Sequence, residues 1–219
     1  MMTNLEIAAQ LKSFGTSTVG AVLDDLGLNG LIVNLRPIAP GFRFAGPAFT
    51  VKLEVGELGA FPPEAFDIAA YIDTPPVQYA VAVDMGGALV SALGGIAVRV
   101  AQKRGLAAIV VDGGSRDLDE TLQAGFPLFV RHSLPITGRR RVKLSATGIA
   151  IQLDGVTVSP DDFLVGDDTG IVRVPRASAQ EVLKRAAAID ARDRRARDAV
   201  ERGLGFRDAF RAAGSPEYP

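Results

Sequence analysis

The densest group of side chains able to do chemistry lies in residues 112–120, which read Asp-Gly-Gly-Ser-Arg-Asp-Leu-Asp-Glu. Asp117 and Glu120 are three residues apart, so on a helix they would share one face. Two neighbouring carboxylates repel each other unless a cation lies near them, and oxygen-only ligands suit Mg²⁺ or Mn²⁺. Arg116 adds a planar guanidinium that can bind a carboxylate or a developing oxyanion. The alternative is that the acids only complement their helix dipole and that Arg116 forms a surface ion pair.

A pair of glycines before a predicted helix, Gly94 and Gly95, is the second feature of this kind. Glycines at the start of a helix let a ligand approach the free N–H groups of the first turn, here those of Gly95, Ile96 and Ala97. Such a terminus accepts a carboxylate or a phosphate. The simpler alternative is that these glycines only reverse the chain.

The composition removes most other kinds of site. The 219 residues include no Cys and one His, His132. Disulfides, thiolate nucleophiles, Cys-ligated metals and sites that need two histidines from one chain are therefore excluded. Twenty-five acidic and 24 basic residues give a net charge of -1, so we expect no bulk attraction to nucleic acid or to an anionic membrane. The chemistry must come from carboxylates, arginines, hydroxyls and backbone amides, helped by a hard metal.

The elements next to the acidic segment are typical of an α/β fold. Residues 96–104 are predicted to form a helix and residues 106–111 a buried strand. Residues 112–114 are predicted to turn, with Ser115 as the N-cap of the next helix. Because ligands of open α/β sheets bind beyond the carboxyl ends of strands, this junction is well placed for a site.

The remaining elements are expected to complete one domain over residues 1–219. Helices are predicted over residues 4–14, 16–26, 175–202 and 206–213, and strands over residues 46–54, 79–83, 128–131, 142–144, 149–153, 156–158, 163–165 and 171–174. No apolar run approaches the roughly 20 residues that span a bilayer. The N-terminus lacks a basic stretch followed by an apolar one, so no signal peptide is predicted and a cytosolic location is expected.

The spacing of Gly95, twenty intervening residues and then Arg116-Asp117-x-x-Glu120 resembles a known signature. It is similar to that of the class II pyruvate aldolases that cleave 4-hydroxy-4-methyl-2-oxoglutarate, which belong to the RraA-like family. Further stretches resemble this family in the same order along the chain: residues 18–24, 46–52, 110–117 and 165–175. The chain is identified by this resemblance as a member of the RraA-like family.

The resemblance implies a single-domain α/β/β/α sandwich of the swivelling type with C-terminal helices. It also implies a homotrimer or a homohexamer whose active site lies in a cleft between subunits. The C-terminal helical segment, about residues 176–219, would pack on a neighbouring subunit.

The resemblance also implies roles for individual residues. Asp117 would hold the divalent metal, Mg²⁺ or Mn²⁺, and Glu120 would act through a metal-bound water. Arg116 would contact the keto oxygen and carboxylate of the substrate. The amides of Ile96 and Ala97, which follow Gly95, would receive the pyruvyl carboxylate.

The expected function is a metal-dependent lyase for small 2-oxo acids. It would cleave 4-hydroxy-2-oxo dicarboxylic or tricarboxylic acids to pyruvate and a second oxo acid. Loss of CO₂ from oxaloacetate passes through the same pyruvate enolate, so decarboxylation should accompany cleavage. The alternative is a non-catalytic regulator that binds a ribonuclease, as the namesake of the family does. A methyltransferase is a weaker alternative, because the sequence has no glycine-rich nucleotide loop.

Overall fold

A mixed sheet of ten strands is the framework of the chain in the computed structural model, which describes residues 2–215. The strands, of which β9 and β10 lie outside this sheet, are β1 (Leu31–Ile32), β2 (Arg36–Pro37), β3 (Phe44–Val55), β4 (Ala80–Asp84), β5 (Ser91–Leu93), β6 (Ala108–Ser115), β7 (Leu128–Ser133), β8 (Val142–Thr147), β9 (Ile151–Leu153), β10 (Val156–Val158), β11 (Phe163–Asp167) and β12 (Gly170–Val174). The helices are α1 (Asn4–Ser13), α2 (Thr16–Asp25), α3 (Ala69–Ile72), α4 (Gly95–Lys103), α5 (Leu118–Ala124), α6 (Ala179–Glu201) and α7 (Phe206–Ala212).

The sheet joins a parallel half to an antiparallel half. Its order is β1-β12-β11-β3-β4-β6-β7-β2, with β5 paired to β6 and β8 paired to β3. Strands β3, β4, β6 and β7 run parallel, so their carboxyl ends meet at one edge. All eight residues of β6 are buried, as expected for a central parallel strand covered on both faces. Strands β9 and β10 form a separate antiparallel hairpin.

Three apolar clusters hold the layers together. One lies between the parallel strands and helices α3, α4 and α5 and includes the fully buried Ile109 and Val98. A second lies on the other side, where Phe129 and residues of the β9–β10 hairpin such as Ile151 meet. The third packs α1, α2 and α6 against β11 and β12. The mixed α/β fold predicted from the sequence is confirmed.

The prediction of a turn at residues 112–114 is wrong, because β6 continues through Ser115. The glycines there are needed for space within the sheet. A Cβ on Gly113 would lie 2.7 Å from Met85 Sδ, and one on Gly114 would lie 2.8 Å from the Val90 carbonyl oxygen. The predicted N-cap is also wrong, since α5 begins at Leu118 with Asp117 in the N-cap position.

Two helices follow the last strand, as predicted. Helix α6 has 23 residues and packs against α7. The two helices are separated by a short non-helical segment that contains Gly203 and Gly205. Residues 216–219 of the predicted C-terminal segment lie outside the described residues, and packing on a neighbouring subunit stays a prediction. Among residues 2–215, no helix is both long and apolar enough to cross a membrane.

Candidate active site

The site begins at the junction between β6 and α5. The Arg116 amide donates to the Leu93 carbonyl at 3.2 Å, which ties this junction to the end of β5. The side chains of Arg116 and Asp117 are 45% and 39% exposed, so both reach solvent at the carboxyl edge of the sheet. Arg116 Nε lies 3.4 Å from Asp117 Oδ2. Arg116 therefore forms a long, exposed ion pair with Asp117 within one chain, as the simpler alternative expected.

Asp117 adopts a left-handed backbone conformation, with φ 56° and ψ 48°. For a residue other than glycine this costs on the order of 1 kcal/mol, and such strain concentrates at functional sites. The buried Thr121 holds it in place, because both its amide and its hydroxyl donate to the Asp117 carbonyl at 3.0 Å. The backbone of Asp117 is thus fixed from within α5.

The Asp117 carboxylate does not cap its own helix. It turns towards α4 instead, where Oδ2 accepts a 3.3 Å hydrogen bond from the Gly95 amide. Asp117 thus lies at the N-terminus of α5 but makes its side-chain hydrogen bond to α4. Its charge lies at the positive end of the neighbouring helix.

Gly94 and Gly95 leave room for two carboxylates that lie directly against them. A Cβ on Gly94 would overlap Asp117 Oδ2, and a Cβ on Gly95 would lie 2.6 Å from the Glu120 Cβ and overlap Glu120 Oε2. Gly94 has an extended backbone and Gly95 is helical, so space and not backbone freedom explains both glycines. The structure brings Gly95, Asp117 and Glu120 of the signature together at one point.

The first turn of α4 offers free hydrogen-bond donors. Within residues 2–215, no acceptor lies outside the helix for the amides of Ile96 and Ala97, and first-turn amides have none within it. The Ile96 side chain is 78% exposed. This helix end is therefore open to an anion.

The two carboxylates form a donor set suited to a hard cation. In the part of the chain that the structure describes, Glu120 makes no hydrogen bond or ion pair, and Asp117 has one arginine beside it. No group of three or more His, Asp or Glu residues able to hold a metal occurs among residues 2–215. Two oxygen ligands with the remaining positions taken by water fit Mg²⁺ or Mn²⁺.

Cavities open on both sides of the Arg116–Asp117 pair. One, of about 430 Å³, has polar groups from Ser115, Asp119 and Ser133 in its wall. The other, of about 360 Å³, runs between α3 and α4. Arg116 and Asp117 line both cavities, so a bound molecule can reach them from either side.

Asp112 does not belong to this cluster, although it is part of the acidic segment. It is buried, accepts from Arg131 Nε at 2.6 Å and from the Asp154 amide at 2.8 Å, and so faces the β9–β10 hairpin. At the end of the adjacent strand the buried Asp84 accepts from Lys52 Nζ at 2.9 Å. The sequence signal for this polar network was an acid directly after each of two predicted buried strands, residues 79–83 and 106–111.

Asp154 and His132 complete the surroundings of this network. Burial raises the pKa of Asp154, but hydrogen bonds from Asn34, Arg131 and Val33 outweigh burial and hold the pKa at about 2. His132 is half-buried in β7, and its Nε2 lies 3.2 Å from the Gly87 carbonyl oxygen. His132 lines neither of the two cavities beside the Arg116–Asp117 pair.

Comparison with known proteins identifies the family. The family model described as RraA-like (Aldolase/RraA) matches residues 19–173, which is more than half of the chain. The chain therefore belongs to the RraA-like family.

Individual relatives agree with this assignment. The chain is 26% identical over 189 residues to a putative 4-hydroxy-4-methyl-2-oxoglutarate aldolase of Halalkalibacterium halodurans, covering 86% of each chain. It is 26% identical over 202 residues to protein DlpA of Legionella pneumophila, covering 91% of this chain but 32% of DlpA. It thus spans about a third of the length of that relative.

A solved structure shares the fold. Streptomyces coelicolor RraAS2, described as an unusual member of the RNase ES inhibitor RraA protein family, superimposes with a TM-score of 0.76. The two chains are 24% identical, and the match covers 91% of this chain and 96% of that one.

Proposed function

We propose that this member of the RraA-like family is a divalent-metal-dependent lyase that cleaves 4-hydroxy-2-oxo acids of the 4-hydroxy-4-methyl-2-oxoglutarate type to pyruvate and a second oxo acid. The observation that carries the proposal is the meeting of Asp117 and Glu120 at the open N-terminus of α4, with Arg116 beside them. The aldolase name of the Halalkalibacterium halodurans relative supports the same reaction class.

In this proposal the chain positions the pyruvyl half of the substrate through two kinds of donor. The amides of Ile96 and Ala97 bind its carboxylate, since they have no acceptor outside the helix among the described residues. The Arg116 guanidinium reaches the keto oxygen and stabilises the negative charge that develops there. Arg116 is free to do so because its one ion pair within residues 2–215, with Asp117, is long at 3.4 Å.

Asp117 and Glu120 would hold the metal, Asp117 directly and Glu120 through water. When bound, Mg²⁺ or Mn²⁺ would supply a Lewis acid that stabilises the enolate. The two carboxylates are held at this place by the close approach that Gly94 and Gly95 permit. The positive end of α4 limits the repulsion between them.

The reaction balances without a further reactant. A base removes the proton of the C4 hydroxyl, the C3–C4 bond breaks, and its electron pair passes to the pyruvate enolate while C4 becomes a carbonyl. A proton from solvent then converts the enolate to pyruvate. The site contains no His or Cys, so ordered water is the proposed proton carrier.

Oxaloacetate is expected to react in the same site. Loss of its C4 carboxylate as CO₂ leaves the same enolate, and the groups that stabilise one enolate stabilise the other. The proposed enzyme is therefore also an oxaloacetate decarboxylase. The homotrimer or homohexamer, the cleft between subunits and the cytosolic location stay predictions.

The test measures pyruvate release from 4-hydroxy-4-methyl-2-oxoglutarate and from oxaloacetate, with Mg²⁺, with Mn²⁺ and with a chelator. Turnover that needs the metal and is lost in Asp117→Ala and Arg116→Ala is the expected result. Metal-independent turnover, or full activity in both variants, would contradict the mechanism. No turnover of either substrate would contradict the lyase and favour the ribonuclease-binding alternative.

A further inference from the structure

One of the two cavities beside the Arg116–Asp117 pair lies where β6 and β7 end, and its volume is about 430 Å³. We call it the β6–β7 cavity, and its lining residues are Ser115, Arg116, Asp117, Leu118, Asp119, Ser133, Leu134 and Pro135. Ile96 and Ala97 line the other cavity, between α3 and α4, and neither of them lines the β6–β7 cavity. The two cavities therefore offer different partners to the two ends of a substrate.

This difference gives the substrate a direction. In the proposed function the amides of Ile96 and Ala97 bind the C1 carboxylate, which places C1 on the side of the cavity between α3 and α4. C1 and C3 are bonded to different sides of the C2 carbonyl carbon. With the keto oxygen at Arg116, the substrate therefore continues from C3 to C4 into the β6–β7 cavity. The volume of this cavity is sufficient for C4 with a hydroxyl, a methyl and a carboxylate.

Ser133 brings an unused hydroxyl to the β6–β7 cavity. Its side chain is exposed and makes no hydrogen bond within residues 2–215. The other serine of the lining, Ser115, is buried, and its Oγ lies 3.3 Å from the Arg116 carbonyl oxygen and 3.5 Å from that of Leu93. The Ser115 hydroxyl thus has partners in the backbone, whereas the Ser133 hydroxyl is available to a ligand.

The backbone around Ser133 is fixed by the end of β6. Ser133 is the partner of Ser115 in the pairing of β7 with β6, and the amide of Leu134 donates to the Ser115 carbonyl at 3.0 Å. Ser115 directly precedes Arg116 in the chain. Ser133 is therefore held next to the strand end that carries Arg116, and a group held at a fixed place can select one substituent of a substrate.

From this arrangement we infer that Ser133 recognises the C4 hydroxyl of the substrate and is a specificity-determining residue for 4-hydroxy acids. The inference rests on the proposed function. A serine hydroxyl both donates and accepts hydrogen bonds, which matches an alcohol. Asp119 lines the same cavity, and its negative charge does not repel an uncharged hydroxyl. Because Ser133 and Asp119 are exposed, the cavity is open to water, where the carboxylate on C4 stays hydrated.

Oxaloacetate provides the comparison for the first experiment, because it has no alcohol on C4. Pyruvate release from 4-hydroxy-4-methyl-2-oxoglutarate and from oxaloacetate is measured with Mg²⁺ for the wild type and Ser133→Ala. The ratio of the first kcat/KM to the second should fall roughly tenfold in Ser133→Ala, since one hydrogen bond to the C4 hydroxyl is lost. Ser145→Ala removes an exposed hydroxyl from β8 and should keep the wild-type ratio. An unchanged ratio in Ser133→Ala, or an equal change in both variants, would overturn the inference.

Inhibition by 2-oxoglutarate distinguishes the hydroxyl from the carboxylate. This compound carries the carboxylate on C4 but no hydroxyl there. Its inhibition constant against oxaloacetate decarboxylation should differ by less than about twofold between the wild type and Ser133→Ala, because the hydrogen bond in question is absent from both complexes. A roughly tenfold weaker inhibition of Ser133→Ala would assign Ser133 to the carboxylate and overturn the inference.

Exchange of pyruvate methyl protons with D₂O separates this inference from the proposed function. Pyruvate has no C4 group, so its metal-dependent exchange tests the enolate site alone. Absence of both exchange and turnover in the wild type would overturn both proposals. Exchange and turnover in the wild type, together with an unchanged ratio in Ser133→Ala, would overturn the role of Ser133 and leave the lyase standing.

Discussion

Asp117 connects the signature to the geometry at the scale of single residues. Its left-handed backbone aims the carboxylate away from α5 and at the first turn of α4, where it meets the Gly95 amide. Sequence spacing placed Asp117 and Glu120 on one helix face, and the structure does bring both against α4. Asp117 itself lies just before α5, where a hydrogen bond from Thr121 to the Asp117 carbonyl holds its left-handed backbone.

The charge of Asp117 can be removed without changing its backbone. Asn tolerates the left-handed region well, so Asp117→Asn should fold normally. We expect kcat/KM for pyruvate release to fall by roughly 100-fold or more, because the group that holds the cation loses its charge. Asp161→Asn is the matched control, since Asp161 also has a positive φ of 65° but lies before β11. Comparable losses in both variants would contradict the role of Asp117.

Arg116 is expected to act through the shape of its guanidinium as well as through its charge. Arg116→Lys keeps the charge but loses the planar fork, so we expect kcat/KM to fall by at least about tenfold. Arg99→Lys, on the exposed side of α4, is the control and should behave as the wild type. If Arg116→Lys retained full activity, a point charge would suffice and the contact to the keto oxygen would be wrong.

At the scale of elements, the site depends on how closely α5 approaches the start of α4. That approach is possible because Gly94 and Gly95 have no Cβ where Asp117 and Glu120 lie. The sequence showed Gly94 and Gly95, but local patterns did not indicate which side chains would lie against them. The contacts span more than twenty residues of chain, and local propensity carries no information about them.

Gly95→Ala tests this packing directly. The new methyl group would lie 2.6 Å from the Glu120 Cβ, so α5 and its carboxylates must shift. We expect pyruvate release to drop at least about tenfold with a modest loss of thermal stability, since a displacement of about 1 Å can greatly reduce the rate. Gly205→Ala, where a Cβ meets nothing within 4 Å, serves as the control. Wild-type activity in Gly95→Ala would show that the close approach is not needed.

The parallel strands were predicted better than the turns between them. The buried runs of β4 and of the first part of β6 were predictable from their apolar residues. The end of β6 was not, because Gly113 and Gly114 are typical of turns and serve here to admit Met85 and the Val90 backbone. Which of these two roles a glycine has is decided by contacts across the sheet.

At the scale of the whole molecule, a polar network ties the β9–β10 hairpin to the main sheet. Arg131 donates to Asp112 at 2.6 Å and to Asp154 at 2.8 Å, and Asp154 also accepts from the Val33 and Asn34 amides. The chain distance between Asp112 and Asp154 explains why sequence patterns did not reveal this link. The sequence had predicted the Asp154-Gly155 hairpin turn but not the partners of its acid.

This network should make stability depend on pH. The pKa of Asp154 is lowered from 3.8 to about 2, so its contribution is present above about pH 4 and is lost as the pH falls towards 2. Asp154→Asn keeps the left-handed turn and should lower the free energy of unfolding at pH 7 by about 2 kcal/mol. Denaturant unfolding at several pH values measures the difference in free energy of unfolding between the wild type and Asp154→Asn. This difference should shrink between pH 4 and pH 2, and a difference that stays constant would contradict the assignment.

Arg116, Asp117, Glu120 and the α4 amides are proposed to stabilise a pyruvate enolate together with a divalent cation. The most direct measurement follows the methyl signal of pyruvate by proton NMR in D₂O. Four samples are compared: the wild type and Asp117→Ala, each with its divalent metal removed by a chelator and each with Mg²⁺ supplied. We predict rapid loss of the signal with the wild type and Mg²⁺, and the uncatalysed rate in the other three samples. Exchange at the uncatalysed rate in all four samples, or equal exchange by the wild type and Asp117→Ala, would show that these residues do not stabilise the enolate.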